Sequence, residues 1–411
     1  MTGAATNHAS PGGRRGAAGA LPSPGRALLA VKALYALYFG GLGIYFTFIN
    51  VHFRNIGLSG AEIGLLSTIA PLVAMVAGTM WGLLSDRTGQ TRLLLMLASA
   101  GAIASVLILS TARSFAALIP LVALFSLFNS AIIPLVDSVT LALLGGQRER
   151  YGSQRIWGSI GFIVTSSASG FLVGALGIPV IFASFAIALG LHLCVLALLP
   201  EQPVEMRGSI VRGLPGLVRQ PAWVLFAVSV MLVAIAGNAM GAFLSVTVKT
   251  LGGSDSLVGL GWTIAALSEL PVMAGSAWLL RKAGPARLLM VALLAYTVRM
   301  FLYSIAQAPE WVLAINSMGG VSFALYWISS VTYANQLAPA GLKATSQGML
   351  TTLTNLAGML GSAIAGWLFD LRGPAGMFQV MAIVCATALT VFVTGRLWLR
   401  QRAQRLNSHP Q

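Results

Sequence analysis

The chain has 411 residues, with 25 Lys or Arg against 10 Asp or Glu, a formal net charge of +15 and 57% hydrophobic residues. Its mean hydropathy is +0.84. Charged side chains make up only 9% of it, where a soluble domain carries about 25%. A water-soluble enzyme, a disordered chain and a disulfide scaffold are therefore excluded, and an integral membrane protein remains, which the apolar runs below make all-α.

Residues 1–26 are rich in Gly, Ala, Ser and Pro and carry Arg14, Arg15 and Arg26. They read as a disordered cytoplasmic leader. The apolar run that follows is too long for a signal-peptide core and leads into further spans. A helix crossing the hydrocarbon needs roughly 20 apolar residues. That ruler finds spans near 28–53, 61–84, 91–112, 116–143, 156–176 and 178–199. A second set follows near 222–248, 257–280, 286–307, 311–337, 345–369 and 376–399. The predicted organisation is a first six-helix half over 27–199, a cytoplasmic central loop over 200–221, a second half over 222–399 and a basic cytoplasmic tail over 400–411. Only Gly174, Gly177 and Pro179 mark the turn between spans five and six.

The basic residues fall in short clusters between apolar runs rather than on one polar face, so nucleic acid is not an expected partner. With the N-terminus inside, twenty of the 25 Lys and Arg lie in cytoplasmic segments. Arg54, Arg113, Lys249 and Arg372 lie outside, and Arg299 lies within a span. This asymmetry puts both termini in the cytoplasm. Cys194 and Cys385 sit inside apolar runs, and His8, His52, His192 and His409 are scattered, so neither a disulfide nor a metal site is expected. No nucleotide-binding loop or clustered catalytic constellation occurs. The expectation is a non-enzyme without cofactor, a monomer in a bacterial inner membrane.

The two halves repeat. A shift of 195 residues lays 48–70 on 243–265, with Phe48, Val51, Gly57, Ser59, Gly64, Leu65, Thr68, Ile69 and Ala70 recurring as identical residues. Arg87, Gly89 and Arg92 fall on Lys282, Gly284 and Arg287. Two six-helix halves in parallel repeat resemble the major facilitator superfamily, which implies a solute site between the halves near the midplane and alternating access.

The loop after span two, Gly82-Leu-Leu-Ser-Asp86-Arg87-Thr-Gly89-Gln-Thr-Arg92, resembles that superfamily's conformational latch. There Asp86 would accept from a helix start or pair with Arg. In the second copy Arg281 occupies the Asp position. Positive-inside anchoring is the competing reading of Arg87 and Arg92. The segment Pro134 to Asp137, with Tyr151 to Phe162, is similar to the branch of phenylpropionate:proton symporters and, more distantly, lactose permease and the nucleoside:proton symporters. The acidic residue stands 18 positions before Arg155, as in that branch. Ser268-Glu269-Leu-Pro271, Arg299, and Pro339 through Gly348 add to the likeness. One departure stands out: Gly319 occupies the place of a His that joins proton coupling in the branch.

An ionisable group at the bilayer centre costs ~2.5–3.5 kcal/mol on insertion scales, so Asp137, Glu269 and Arg299 each need a purpose. Glu269 and Asp137 are the candidate proton carriers, with a permanent Glu269–Arg299 ion pair as the alternative. Arg299 and Arg155 are candidates for a solute carboxylate, Arg155 competing with a role as membrane-edge anchor. Tyr38 and Tyr45, seven apart on one face, and Tyr326 are candidate aromatic contacts, with lipid-facing positions as the alternative. Asn129, Asn238 and Asn316 could hydrogen-bond a solute or glue helices. The implied function is a secondary transporter that couples import of a small organic solute, an aromatic or other monocarboxylate, to protons. A sugar or nucleoside symporter, or an exporter, is the alternative.

Overall fold

The computed structural model describes residues 24–145, 147, 150–197, 199, 220–339 and 342–408. Most of the expected leader, nearly all of the expected central loop and the last residues of the basic tail lie outside that set. The first half is built from α1 (Pro24–Asn55), α2 (Gly60–Thr88), α3 (Thr91–Leu109), α4 (Phe115–Leu144), α5 (Tyr151–Leu176) and α6 (Val180–Ala197). The second comprises α7 (Pro221–Thr250), α8 (Asp255–Ala274), the short α9 (Ser276–Ala283), α10 (Pro285–Ser304), α11 (Pro309–Asn316), a π-helical turn (Gly320–Ala324), α12 (Leu325–Leu337) and α13 (Lys343–Ser408).

Helix ends follow from local chemistry, and the repeat recurs in them. Ser59 caps α2 through a capping box with Glu62. Its counterpart 195 residues on, Ser254, caps α8 with nearly the same backbone angles. Gly57 and Gly252 both turn with positive φ, as do Gly89 and Gly284, at positions where a Cβ would be strained. Pro221, Pro285 and Pro309 start their helices, where the missing N–H has no intrahelical acceptor to lose.

Four expected spans are less regular than the sequence suggests. The eighth breaks at Gly275 into α8 and α9. The tenth is bent by 40° between α11 and the π turn. The eleventh and twelfth form one 66-residue helix interrupted at Gly373, where φ is 67° and ψ −175°. At 1.5 Å per residue that helix would be about 100 Å long, several times the ~30 Å hydrocarbon thickness, so it crosses twice. Ten helices are long and apolar enough to span alone, and the bent pair is an eleventh. The division at Gly373 supplies the twelfth among the described residues. The tail from residue 400 continues this last helix to Ser408 rather than leaving it.

Large apolar side chains point outward along the bundle, among them Val76, Phe171, Leu176, Ile187 and Trp367, as a hydrocarbon solvent requires. Inside the first half, Tyr45, Phe125, Phe182 and Phe185 stack together with ring centroids 5.0–6.3 Å apart. The halves meet along α2–α13 and α5–α8, with α1 touching α7. The α2–α13 seam is close enough that a Cβ on Gly64 would lie 2.4 Å from the Ser362 carbonyl. On the α5–α8 seam a Cβ on Gly259 would lie 2.5 Å from the Ser166 carbonyl.

Every hydrogen bond between the halves among the described residues lies toward one end of the bundle. Asn50 donates to the Ala242 carbonyl at 2.8 Å, and Thr68 to the Met359 carbonyl at 3.2 Å. Thr263 meets the hydroxyls of Ser166 and Ser167, and Asp370 accepts from Gly60 and Ala61. Phe46 on Trp262 adds a ring contact at the same end. The molecule is thus closed at the end carrying the α1–α2 and α7–α8 turns, and the loop after α2 lies at the opposite end.

Candidate functional site

Two polar clusters stand in the apolar interior, one in each half. In the first, α1 supplies a row of aromatics that α4 and α5 meet. Tyr35 donates to Asp137 Oδ1 at 2.5 Å and shares a 3.2 Å hydrogen bond with Thr140. Tyr38 donates to Asn129 Oδ1 at 3.1 Å. The Arg155 guanidinium lies 4.3 Å from the Phe39 ring centre and 5.4 Å from that of Tyr35. Both distances are within cation–π range. Tyr151 comes close to both Asp137 and Arg155. Among the described residues Arg155 makes no ion pair, with Asp137 or any other carboxylate. The 18-residue spacing therefore brings the two into one neighbourhood, with aromatic rings rather than a salt bridge holding the guanidinium.

The second cluster surrounds Arg299, which is 1% exposed. Its Nε donates to Tyr303 Oη at 3.1 Å, Nη1 to Ser322 Oγ at 2.9 Å and Nη2 to Asn316 Oδ1 at 2.9 Å. Tyr303 also donates to Asn316 Oδ1. Asn316 in turn donates from Nδ2 to the Gly261 carbonyl at 3.0 Å. Ser322 reaches the guanidinium because the π turn carries it, and its own hydroxyl also bonds the Met318 carbonyl. All of these partners are neutral. The alternative of a permanent Glu269–Arg299 ion pair is not realised: no carboxylate lies within 4.0 Å of Arg299 among the described residues. Glu269 is half-buried on α8 and has neither a hydrogen-bond partner nor an ion-pair partner among the described residues. Arg299 is still near enough to act on it electrostatically.

The glycine at the expected His position has a packing cause. A Cβ on Gly319 would lie 2.8 Å from Ser268 Oγ and 3.0 Å from the Ala265 carbonyl. One on Gly320 would lie 2.1 Å from the Ser268 carbonyl. The backbone of α8 occupies the space an imidazole would need. Ser268 Oγ accepts from the Gly320 N–H at 3.0 Å, supplying an acceptor where the helix changes register.

Other candidate residues are placed as follows. Arg299 and Asn316 are buried in the network above, with their polar groups bonded to protein. Tyr326 is buried, donates to the Val230 carbonyl at 2.9 Å and packs on Tyr296. Tyr45 is enclosed by the three phenylalanines. Each of these four is turned into protein in this conformation rather than toward a surface. Asn238 is exposed and donates to the Ala234 carbonyl of its own helix. The segment expected as a loop after span two is mostly helical: Gly82, half-buried, and Arg87 lie in the last turns of α2, Gly89 ends that helix at φ 64°, and Arg92 lies in the first turn of α3. Arg92 donates to the Ala197 carbonyl at the C-terminal end of α6 at 2.6 Å, a favourable place for a cation. Arg87 is exposed, and the Asp86 side chain lies outside the described residues. Sequence reasoning missed Thr140, Tyr303, Ser322 and Ser268 as members of the two clusters. Tyr303 had a signal, standing four residues after Arg299 on the same helical face.

Comparison with known proteins sets this geometry among membrane transporters. A family model described as MFS_1 like family matches residues 28–380. The chain is similar to the maltose permease of Geobacillus stearothermophilus, 30% identical over 372 residues that span 90% of this chain and 94% of the relative. It is also similar to the probable 3-phenylpropionic acid transporter of Escherichia coli (strain K12), 27% identical over 86% of this chain and 94% of that one. Among solved structures, the nucleoside transporter NupG superposes with a TM-score of 0.77 at 17% identity, over 90% of this chain and 98% of that one.

Proposed function

Since the chain belongs to the MFS_1 like family of the major facilitator superfamily, it is an integral membrane transporter, and we propose that it couples proton entry to import of a small monocarboxylate. What carries the reading is Glu269, a half-buried carboxylate on α8 with no hydrogen-bond or ion-pair partner among the described residues and a buried cation nearby. A group left unpaired at such cost is suited to taking and giving up a proton as access alternates. Arg299, held by Tyr303, Ser322 and Asn316, supplies a fixed positive charge near that carboxylate and does not itself touch cargo in the conformation described. Arg155 offers the solute its planar donor fork. Phe39 and Tyr35 sit under that fork, an aromatic surface of the kind an aromatic acid would pack on. Tyr38 with Asn129 provides a further polar contact on the same face of α1. Asp137, engaged by Tyr35, is the second titratable group of the first half.

In the cycle we propose, solute and proton enter from the expected outer side and the halves rock about the midplane. The closed end described above then seals that side, and both are released to the cytoplasm of a bacterial cell. The loop from Gly82 to Arg92, including Asp86, Arg87 and Gly89, serves as the latch of the opposite, outward-open state.

A second reading, sugar import, is favoured by one specific observation. Of the three side-chain to side-chain hydrogen bonds made by Tyr35 and Tyr38, two go to the neutral Thr140 and Asn129, and the maltose permease is 30% identical to this chain. Counterflow in proteoliposomes separates the two when run against aromatic acids, maltose and nucleosides, with and without a pH gradient. Exchange with acids and uphill uptake driven by the gradient are expected. Glu269→Gln should abolish accumulation and keep counterflow. Maltose as the sole exchanged solute would shift the assignment to the second reading, and uptake driven only by sodium would remove the proton from the mechanism.

A further inference from the structure

The closed end of the bundle is held by one carboxylate that reaches across the halves. Asp370, at the end of the α13 segment that precedes Gly373, accepts from the Gly60 N–H with Oδ1 and from the Ala61 N–H with Oδ2, each at 2.7 Å. These two amides open α2, where the first N–H groups of a helix have no intrahelical acceptor and the dipole favours negative charge. Charge-assisted bonds of this kind are about twice as strong as neutral ones. The approach depends on glycine. A Cβ on Gly60 would stand 2.7 Å from Asp370 Oδ1 and 2.8 Å from the Gly366 carbonyl. A Cβ on Gly366 would stand 2.2 Å from the Gly60 carbonyl.

The pseudo-symmetric seam lacks this device. At the start of α8, Ser254 caps the helix itself, and Asp255 is paired with Lys249 at 2.9 Å within the same half. From α5 the other half brings Gly170, whose Cβ would meet the backbone of Asp255 and Ser256, and the hydroxyls that meet Thr263. Among the described residues, Asp370 is therefore the only carboxylate bonded across the halves. The capping box of Ser59 and Glu62 beside it is complete without the second half, so α2 does not need Asp370 in order to start.

We infer that Asp370 is a positioning residue of the transport cycle: its carboxylate, clasped by the first turn of α2, locks the closed end and must let go before that end can open. The lock is independent of which solute is carried and of how protons are coupled.

The test reads the distance across the closed end in the full chain reconstituted in lipid nanodiscs. Spin labels are placed at Thr111→Cys and Gln307→Cys, in the α3–α4 and α10–α11 turns, after replacement of Cys194 and Cys385. Pulsed dipolar spectroscopy then gives the populations of closed and open ends. Removing two bonds to a charged group shifts such an equilibrium by about tenfold or more. Asp370→Ala should raise the long-distance population by that factor, and Asp370→Asn, which keeps the side-chain shape with only one acceptor, by less. Gly60→Ala should open the same end by wedging the seam. Glu62→Ala weakens the α2 start within its own half and should leave the distances unchanged. An unchanged distribution in Asp370→Ala would overturn the lock. So would an equal shift in Glu62→Ala, because fraying of the first turn would then account for both.

Discussion

A guanidinium surrounded by hydrocarbon persists only where its N–H groups find acceptors. Arg299 finds three, all uncharged and all from the second half. Asn316 is the hinge of that arrangement, since its Oδ1 serves Arg299 and Tyr303 together while its Nδ2 holds α8. Asn316→Ala should lower stability by about 1–3 kcal/mol, the cost of leaving buried donors unmatched. Chemical denaturation in detergent micelles measures it, and an unchanged midpoint would mean the network is dispensable. At this scale the sequence betrays Glu269, Arg299 and Asp137 plainly, because ionisable residues in apolar runs are expensive and rare. It does not betray their partners. Ser322 and Asn316 come from other elements, and nothing in their local context tells a buried acceptor from a surface one. The alternative of a permanent Glu269–Arg299 pair follows from two ionisable residues on neighbouring spans, yet neutral acceptors hold the cation, and the acid has no partner among the described residues.

Among the elements, the π turn from Gly320 to Ala324 has the largest effect on the site. Such turns occur chiefly at functional positions in helices. This one carries Ser322 to Arg299 while its start rests on Ser268, one residue before Glu269. The close approach that makes this possible rules out a side chain at Gly320. Gly320→Ala puts a Cβ 2.1 Å from the Ser268 carbonyl, and overpacking of this kind costs about 1–3 kcal/mol. Thermal unfolding of Gly320→Ala beside Gly78→Ala, whose Cβ would meet nothing within 4 Å, should separate the two clearly. Equal behaviour would remove the packing account of the π turn. The sequence announces helix starts and stops well, since Ser59, Ser254, Gly89 and Gly284 recur at one spacing and do the same work twice. It hides the π turn, whose start rests on Ser268 of α8, because no local pattern encodes such contact.

For the whole molecule, twelve crossings and a two-half architecture were readable from hydropathy and the 195-residue repeat. The direction in which the bundle is closed was not, because a transporter's sequence must serve both access states with the same residues. In the state described, the seams α2–α13 and α5–α8 are shut at one end by glycine contacts and by Asp370. The loop after α2 reaches α6 through Arg92 within its own half. Closure at one end only is what alternating access requires of a transporter caught in one of its two states.

The most direct measurement is proton movement itself, followed with a pH indicator when an accepted acid is added to weakly buffered proteoliposomes without an imposed gradient. The account predicts a solute-dependent uptake of protons by the native chain that disappears in Glu269→Gln while solute exchange continues. Solute entry without proton movement in the native chain, or proton uptake undiminished in Glu269→Gln, would contradict it.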